Sequence, residues 1–338
     1  MSRYFKKFLF AIYIIILTSI LLEIGVRFWG YSEHYISEPI YMPFDKTEDI
    51  PYIHKPNLMN AKARGLSIIN TDSLGLRSKI AGAKYGHKKD NEYRIAIVGD
   101  SVTFGEGVKR NEDTFSQVLE DTLNQKQSAV KFQVFNYAAS AYSVKEMAAT
   151  FKYRMLDVEP DLALMAIIPD DFDLSRTPTI DQWGYSANYK MSGFISKNSI
   201  IKHLLREMRL TYVLRDIRYR WLNKGRNEQN KAFKEKIPES YKYVKQFKEI
   251  SDEHHVPCVI VLLPLTERFG NSILEQLGRD KIPFFELSSI CNDFTYDQFR
   301  ASKFDGHPSA LVHKKIGEVL AEYILREKLN TFRIIRFD

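Results

Sequence analysis

The sequence is poor in the residues that make small cross-linked or metal-stabilised folds. It has two cysteines in 338 residues, Cys258 and Cys291, too few for a disulfide framework. Cys258 should open an interior strand and Cys291 should follow the end of the next one. In a parallel sheet those are opposite edges, about 20 Å apart for a six-residue strand, whereas a disulfide tolerates less than about 7 Å between α-carbons. Free, structural thiols are therefore expected. No Cys/His set has zinc spacing, so no metal is expected, and nothing indicates an organic cofactor. There is no basic run interleaved with aromatics, which excludes a nucleic-acid tract. The first strand is followed by neither GxGxxG nor Gly-Lys-Ser/Thr, which argues against a nucleotide-binding or flavin-type domain. The GxSxG elbow of α/β-hydrolases is also missing. No internal repeat or low-complexity tract is present.

Against these absences, 44% of the residues are apolar, enough for a sizeable core, and the net charge is a modest +7. That charge is concentrated. Between Lys202 and Lys236 stand eleven Lys/Arg and four acids, an excess equal to that of the whole chain. Two readings remain open here: a solvated helix surface, or a face for anionic lipid headgroups or an acidic glycan.

One uncharged run is long. Phe8 to Leu22 reads FLFAIYIIILTSILL and continues to about Trp29, sufficient for a membrane span. Glu23 and Arg27 are four apart and can pair near the interface; Arg27 can snorkel, and Trp29 suits the headgroup belt. Arg3, Lys6 and Lys7 precede the run, while the fifteen residues after Trp29 (30–44) carry Glu33 and Glu38 and no Lys or Arg. The positive-inside rule then puts residues 1–7 in the cytoplasm and the bulk of the chain outside, periplasmic or extracellular. No small-x-small cleavage site follows Leu22, which favours an uncleaved anchor over residues 8–29 rather than a signal peptide, and the run lacks the polar stripe of a buried core helix.

Residues 30–90 read as a linking region without sustained period, containing NTDSLGLRS (Asn70–Ser78), where Gly75 suits a turn. From Arg94 strands and helices alternate. Apolar runs at Ile95–Val98, Phe132–Phe135, Leu162–Ile168, Cys258–Leu263 and Pro283–Leu287 predict five strands. Apolar stripes at Phe115, Val118, Leu119 and Leu123, and at Val144, Met147, Ala148, Phe151 and Met155, predict helices, with others over about 240–254 and 310–328, the last capped by Ser309. A helical insertion interrupts at about 171–236, with Ile201, Leu204, Leu205, Met208 and Tyr212 on one side. The expected fold over residues 91–330 is α/β and doubly wound, a flavodoxin-like five-stranded parallel sheet, with chemistry gathered at the carboxyl ends of the strands.

The first strand ends in Gly99-Asp100-Ser101-Val102-Thr103-Phe104-Gly105. Ser101 thus lies in a strand-to-helix turn, where a hydroxyl can be exposed beside unpaired backbone N–H groups. A serine nucleophile needs a base, and the base an orienting partner. Asp305-Gly306-His307-Pro308 stands just before the final helix, and an Asp two residues from a His can fix its ring and tautomer. The seven other histidines lack such a setting: His254 and His255 sit at a helix end, and His313 is expected to pack on its own helix.

The order of these blocks resembles the SGNH (GDSL-like) hydrolase superfamily: RIAIVGDSVTFGEGV (94–108), VFNYAASAYS (134–143), PDLALMAIIPDDFD (160–173) and FDGHPSALVHKKIGEVLAEYI (304–324), with NTDSLGLRS similar to a segment that precedes the Gly-Asp-Ser strand in membrane-anchored members. The resemblance implies a Ser101–His307–Asp305 triad and an oxyanion hole made by the Ser101 amide, a second-block amide and a third-block asparagine. Here the second-block glycine is replaced by Ala138, which keeps its N–H, and the asparagine by Asp170, whose ionised carboxylate would repel a developing oxyanion. Asn136 and Asp171 are the neighbouring candidates for substrate binding or for the missing donor. The Asp-x-His spacing is shorter than the superfamily's commoner Asp-x-x-His and is similar to that of relatives acting on exopolysaccharides. The implied activity is that of a membrane-anchored esterase, deacetylase or O-acyltransferase acting on acyl esters of cell-envelope glycans or lipids. The alternative is a weakly active or inactive module of the same type that binds glycan or assists a membrane-bound acyltransferase.

Overall fold

The computed structural model describes residues 3–31, 33–175, 179–181, 183–185, 205–222, 239–263 and 271–335. They form two compact units, one of Met1–Ile36 with Tyr189–Arg226, the other of Ser37–Asn188 with Asn227–Asp338. The chain opens in the first unit with helix α1 (Arg3–Trp29), long and apolar enough to cross a membrane. At 1.5 Å per residue it is about 40 Å long, and of its side chains only Val26 is buried.

The second unit begins with two small antiparallel ribbons, β1 (Tyr41–Met42) with β2 (Ile53–His54), and β3 (Ala61–Lys62) with β4 (Ile68–Ile69). These ribbons lie within residues 30–90, the expected linking region. From Ser37 on those residues belong to the unit that holds the sheet, and Ile40, Tyr41, Ile50, Tyr52, Ile69 and Leu76 are buried in the same core cluster as Ala96 and Val98. Strands of two residues show no alternation, so apolar anchors inserted one at a time look like loop composition.

Strand β5 (Glu92–Gly99) leads through the one-turn helix α2 (Ser101–Phe104) to α3 (Phe115–Lys126), β6 (Lys131–Asn136), α4 (Val144–Tyr153) and β7 (Leu162–Ile167). The first unit then contributes α5 (Arg209–Leu222). Back in the second unit follow α6 (Tyr241–Glu253), β8 (Cys258–Leu262), α7 (Asn271–Arg279), β9 (Phe284–Glu286), α8 (Tyr296–Phe299), β10 (Arg300–Ser302), β11 (Asp305–Pro308) and α9 (Ala310–Ile335). Of the expected insertion, Ile201, Leu204 and everything from 223 to 236 lie outside the described residues.

The sheet runs β6-β5-β7-β8-β9, all parallel, which is the expected doubly wound, flavodoxin-like order. Successive side chains leave a strand on opposite faces. Ala96, Val98, Ala163, Met165, Ile260 and Leu262 enter one core cluster, and Ile95, Ile97, Leu164, Ala166, Val259 and Val261 enter the other. Both faces are covered, so these strands read as unbroken apolar runs. Ser309 stands immediately before the last helix, its carbonyl accepting the His313 N–H at 2.9 Å, while its hydroxyl donates to the Gln298 carbonyl at 2.5 Å and ties the helix start to α8. Cys258 and Cys291 are free thiols.

Candidate active site

Strand β5 stops at Gly99 because nothing larger fits there: a Cβ would lie 2.1 Å from Thr103 Oγ1 and 2.6 Å from the Ala166 carbonyl. Asp100 then caps the one-turn helix, its Oδ1 accepting from the Val102 N–H at 2.9 Å. Gly105 closes the turn with φ +89°, a backbone conformation that an L side chain resists. Ser101 is thus held at the first position of a short turn at the carboxyl end of β5.

The base arrives on a hairpin that periodicity did not reveal. β10 and β11 pair antiparallel with a register shift, and Asp305 and His307 are two apart on β11. Residues two apart on a strand share a face, so the Asp-x-His spacing directs both side chains the same way. His307 Nε2 is 3.0 Å from Ser101 Oγ, and His307 Nδ1 is 2.6 Å from Asp305 Oδ1. Asp305 Oδ1 also accepts the His307 backbone N–H at 3.1 Å. Close backbone approach makes this possible. At Gly107 (φ +84°) a Cβ would lie 2.5 Å from the Ala301 methyl, and at Gly65 (φ +71°) 2.6 Å from Asp305 Oδ2. Gly65 comes from residues 37–90, which therefore pack on the Asp305 carboxylate.

Glu106 stands at this candidate site, and motif reasoning missed it. It is buried, and its Oε2 lies 3.5 Å from His307 Nε2. Its Oε1 accepts from the Ser140 hydroxyl, which in turn accepts from Tyr41 Oη at 3.0 Å. The signal was an acid between two glycines, Gly105-Glu106-Gly107, in the turn after the serine. Burial alone would lower the His307 pKa. The hydrogen bond to Asp305 and the charges of Glu106, Asp305 and Asp100 outweigh it and raise the value to about 8.

Arg77, from NTDSLGLRS, is the second missed residue. Its buried guanidinium donates to the carbonyls of Phe104, Gly105 and Val108 and to Asn111 Oδ1, at 3.2, 2.7, 2.8 and 3.1 Å. The upstream motif is thus a brace for the loop that carries Ser101 and Glu106. Within it, Asp72 Oδ1 accepts from the Leu74 and Leu76 N–H groups.

The residues expected to receive an oxyanion are not gathered in the same way. The Ala138 N–H donates to Asn136 Oδ1 at 3.1 Å. Asn136 is itself buried, donating to the Thr103 carbonyl and to Ser116 Oγ, so it pins β6 to the nucleophile turn. Asp171 is buried and accepts the Ile168 N–H at 2.8 Å, closing the turn after β7. These contacts brace the turns that follow β6 and β7. Asp170 is solvent-exposed at the carboxyl end of β7. His313 is fully buried in α9, its Nδ1 accepting the Phe115 N–H at 3.1 Å, and burial lowers its pKa to about 3.

No family model matches the chain, and no curated protein does. Solved structures are similar to it. A lipolytic protein of the G-D-S-L family from Desulfitobacterium hafniense DCB-2 shares 13% identity at TM-score 0.41, over 68% of this chain and 98% of that one. A two-domain esterase active on acetylated mannans, co-crystallised with mannopentaose, shares 12% identity at TM-score 0.42, over 70% of this chain and 49% of that one. A lipase/acylhydrolase from Enterococcus faecalis shares 12% identity at TM-score 0.38, over 69% of this chain and 95% of that one. The solved chains that this one is similar to thus include GDSL-type lipolytic hydrolases, the class that its sequence blocks resemble.

Proposed function

We propose that the chain is a membrane-anchored serine esterase whose nucleophile is Ser101. The observation that carries this reading is the relay Ser101 Oγ, His307 Nε2, His307 Nδ1, Asp305 Oδ1, with separations of 3.0 and 2.6 Å across its two hydrogen bonds. Ser101 Oγ attacks the carbonyl carbon of an acyl ester while His307 Nε2 takes the hydroxyl proton. Asp305 holds the Nδ1–H tautomer and stabilises the imidazolium. Glu106 adds a second carboxylate beside that imidazolium, which favours the charged intermediate and sets the pH at which the base is free. The imidazolium then protonates the leaving alcohol. The acyl-serine passes its group to water in a hydrolase, or to a sugar hydroxyl in an acyltransferase.

The backbone N–H of Ser101 and that of Ala138 are the proposed oxyanion donors, the latter once Asn136 releases it. Helix α1 is the proposed single-pass anchor. Arg3, Lys6 and Lys7 support a cytoplasmic amino end by the positive-inside rule, and in the proposed reading acyl esters of envelope glycans or lipids outside the membrane are the substrates. The test is hydrolysis of p-nitrophenyl acetate by the full chain in detergent. Activity in the wild type and its loss in Ser101→Ala support the reading; equal rates in the two reject it.

The engaged Ala138 amide favours one second reading: a module of the same fold that binds an acylated glycan or serves a membrane-bound acyltransferase without turning over. A null strain complemented fully by Ser101→Ala would favour that reading over the first.

A further inference from the structure

The first unit contains a helix whose two faces contrast sharply. Helix α5 reads RLTYVLRDIRYRWL, with four arginines and one aspartate. Its amino end is capped by α1: the Glu23 carboxylate accepts the N–H groups of Arg209 and Leu210 at 2.9 and 2.8 Å, as a helix N-terminus favours. Arg27 donates to Glu23 at 2.8 Å and to the Glu207 carbonyl at 3.1 Å. One face of α5 is occupied by the chain just after α1. Tyr31 and Tyr35 both donate to Asp216, at 2.8 and 2.6 Å, and the Tyr35 ring stacks on Tyr212 at 5.3 Å. Arg215 lies over the Tyr35 ring at 4.1 Å.

The opposite face carries large apolar side chains turned outward. Leu214, Ile217 and Trp221 are 56, 60 and 75% exposed. At about 100° per residue they fall within about 60° of one another, opposite Tyr212. Arg218, also exposed, flanks them. The level of the helix is fixed as well. Glu23 is the first charged residue after the run Phe8–Leu22, so the capped end of α5 sits where the apolar run of α1 stops.

We propose that α5 lies on the membrane that α1 enters, with Leu214, Ile217 and Trp221 at the boundary between headgroups and acyl chains and the exposed Arg218 among anionic headgroups. An amphipathic helix with Arg on its polar flanks and Trp and Leu on its apolar face has the chemistry of an interfacial anchor. Here the α1 tether supplies the continuity with the bilayer and the net positive charge supplies the complementarity. The helix would fix the height of its unit above the lipid. The proposal rests on α1 as a span and is independent of the ester chemistry.

The test uses the full chain with Trp29→Phe and Trp183→Phe, which leaves Trp221 as its single tryptophan, reconstituted into phosphatidylcholine vesicles containing phosphatidylglycerol. With lipids brominated high on the acyl chain, most of the Trp221 emission should be lost, and aqueous iodide should have little effect. Adding Ile217→Asp should restore the emission and iodide access while the protein still floats with the vesicles. Strong iodide quenching without bromolipid quenching would put the face in water and overturn the proposal. Protection from both quenchers would assign the face to a second copy or to glycan and overturn it equally. Equal bromolipid quenching in pure phosphatidylcholine would remove the anionic preference. Failure to float would overturn the α1 anchor and this proposal together, while p-nitrophenyl acetate hydrolysis by the same sample would report separately on the catalytic reading.

Discussion

The half of the proposed site that would activate Ser101 and the half that would receive the oxyanion are built differently. In the first, Asp305 lies 2.6 Å from His307 Nδ1, and Ser101 and Glu106 lie 3.0 and 3.5 Å from His307 Nε2, with Gly65, Gly107 and Arg77 packed around them. In the second, the Ala138 amide is bound to Asn136 and Asp170 faces solvent. The lesson is one of division of labour. The fold itself fixes the base and its orienting acid, because both lie on one strand beside a rigid turn. The oxyanion half depends on what a substrate or partner displaces, and that is where rate is to be gained.

The largest expected effect tests the activating half. Asp305→Asn or His307→Ala should lower kcat for ester hydrolysis by about 10⁴-fold, since each leaves the serine without an oriented base. Steady-state kinetics on folded protein checks this, and a loss below tenfold would mean that the relay is not in use. The next tests the other half. Asp170→Asn replaces an acceptor-only carboxylate by a donor, and one oxyanion donor is worth about 10²–10³ in kcat. A rise of up to about 10²-fold is expected; an unchanged kcat would show that position 170 does not face the oxyanion.

Arg77→Ala asks how far the activating half depends on its brace. Three carbonyls and Asn111 lose a buried donor, at about 1–3 kcal/mol for an unsatisfied group. A fall in stability on the order of 3 kcal/mol is expected, seen as a Tm drop of roughly 6–12 °C in thermal unfolding. Arg77→Lys should recover little of it, because one ammonium cannot reproduce the planar fork. The smallest effect is on pH. His307 must be neutral to take the proton from Ser101, and its pKa is raised to about 8, so kcat/KM should rise with pH through about 8. Glu106→Gln removes one of the charges that raise it. The midpoint should move to lower pH, with a several-fold gain at pH 7. A midpoint that stays in place would separate Glu106 from the base.

The readable parts of the sequence were those with a period or a motif. Strands β5, β7 and β8 are buried on both faces, so their apolar runs announced a covered parallel sheet, and Gly99-Asp100-Ser101 announced the turn at its edge. Asp305 and His307 were readable as a pair, though the hairpin that carries them was not: strands of three and four residues with a register shift leave no alternation. The contribution of residues 37–90 was hidden for the same reason. Gly65 acts by having no side chain, and Arg77 acts through backbone carbonyls, which carry no residue identity. Glu106 stood inside a recognised block, but its role follows only from its distance to His307.

The most direct measurement is reaction of the full chain with a fluorophosphonate, followed by peptide mass mapping. One adduct on Ser101, formed faster as pH rises toward 8 and absent in His307→Ala, is the predicted result. Intact enzyme that stays unlabelled across that pH range, or an adduct on any other residue, would contradict Ser101 as the nucleophile.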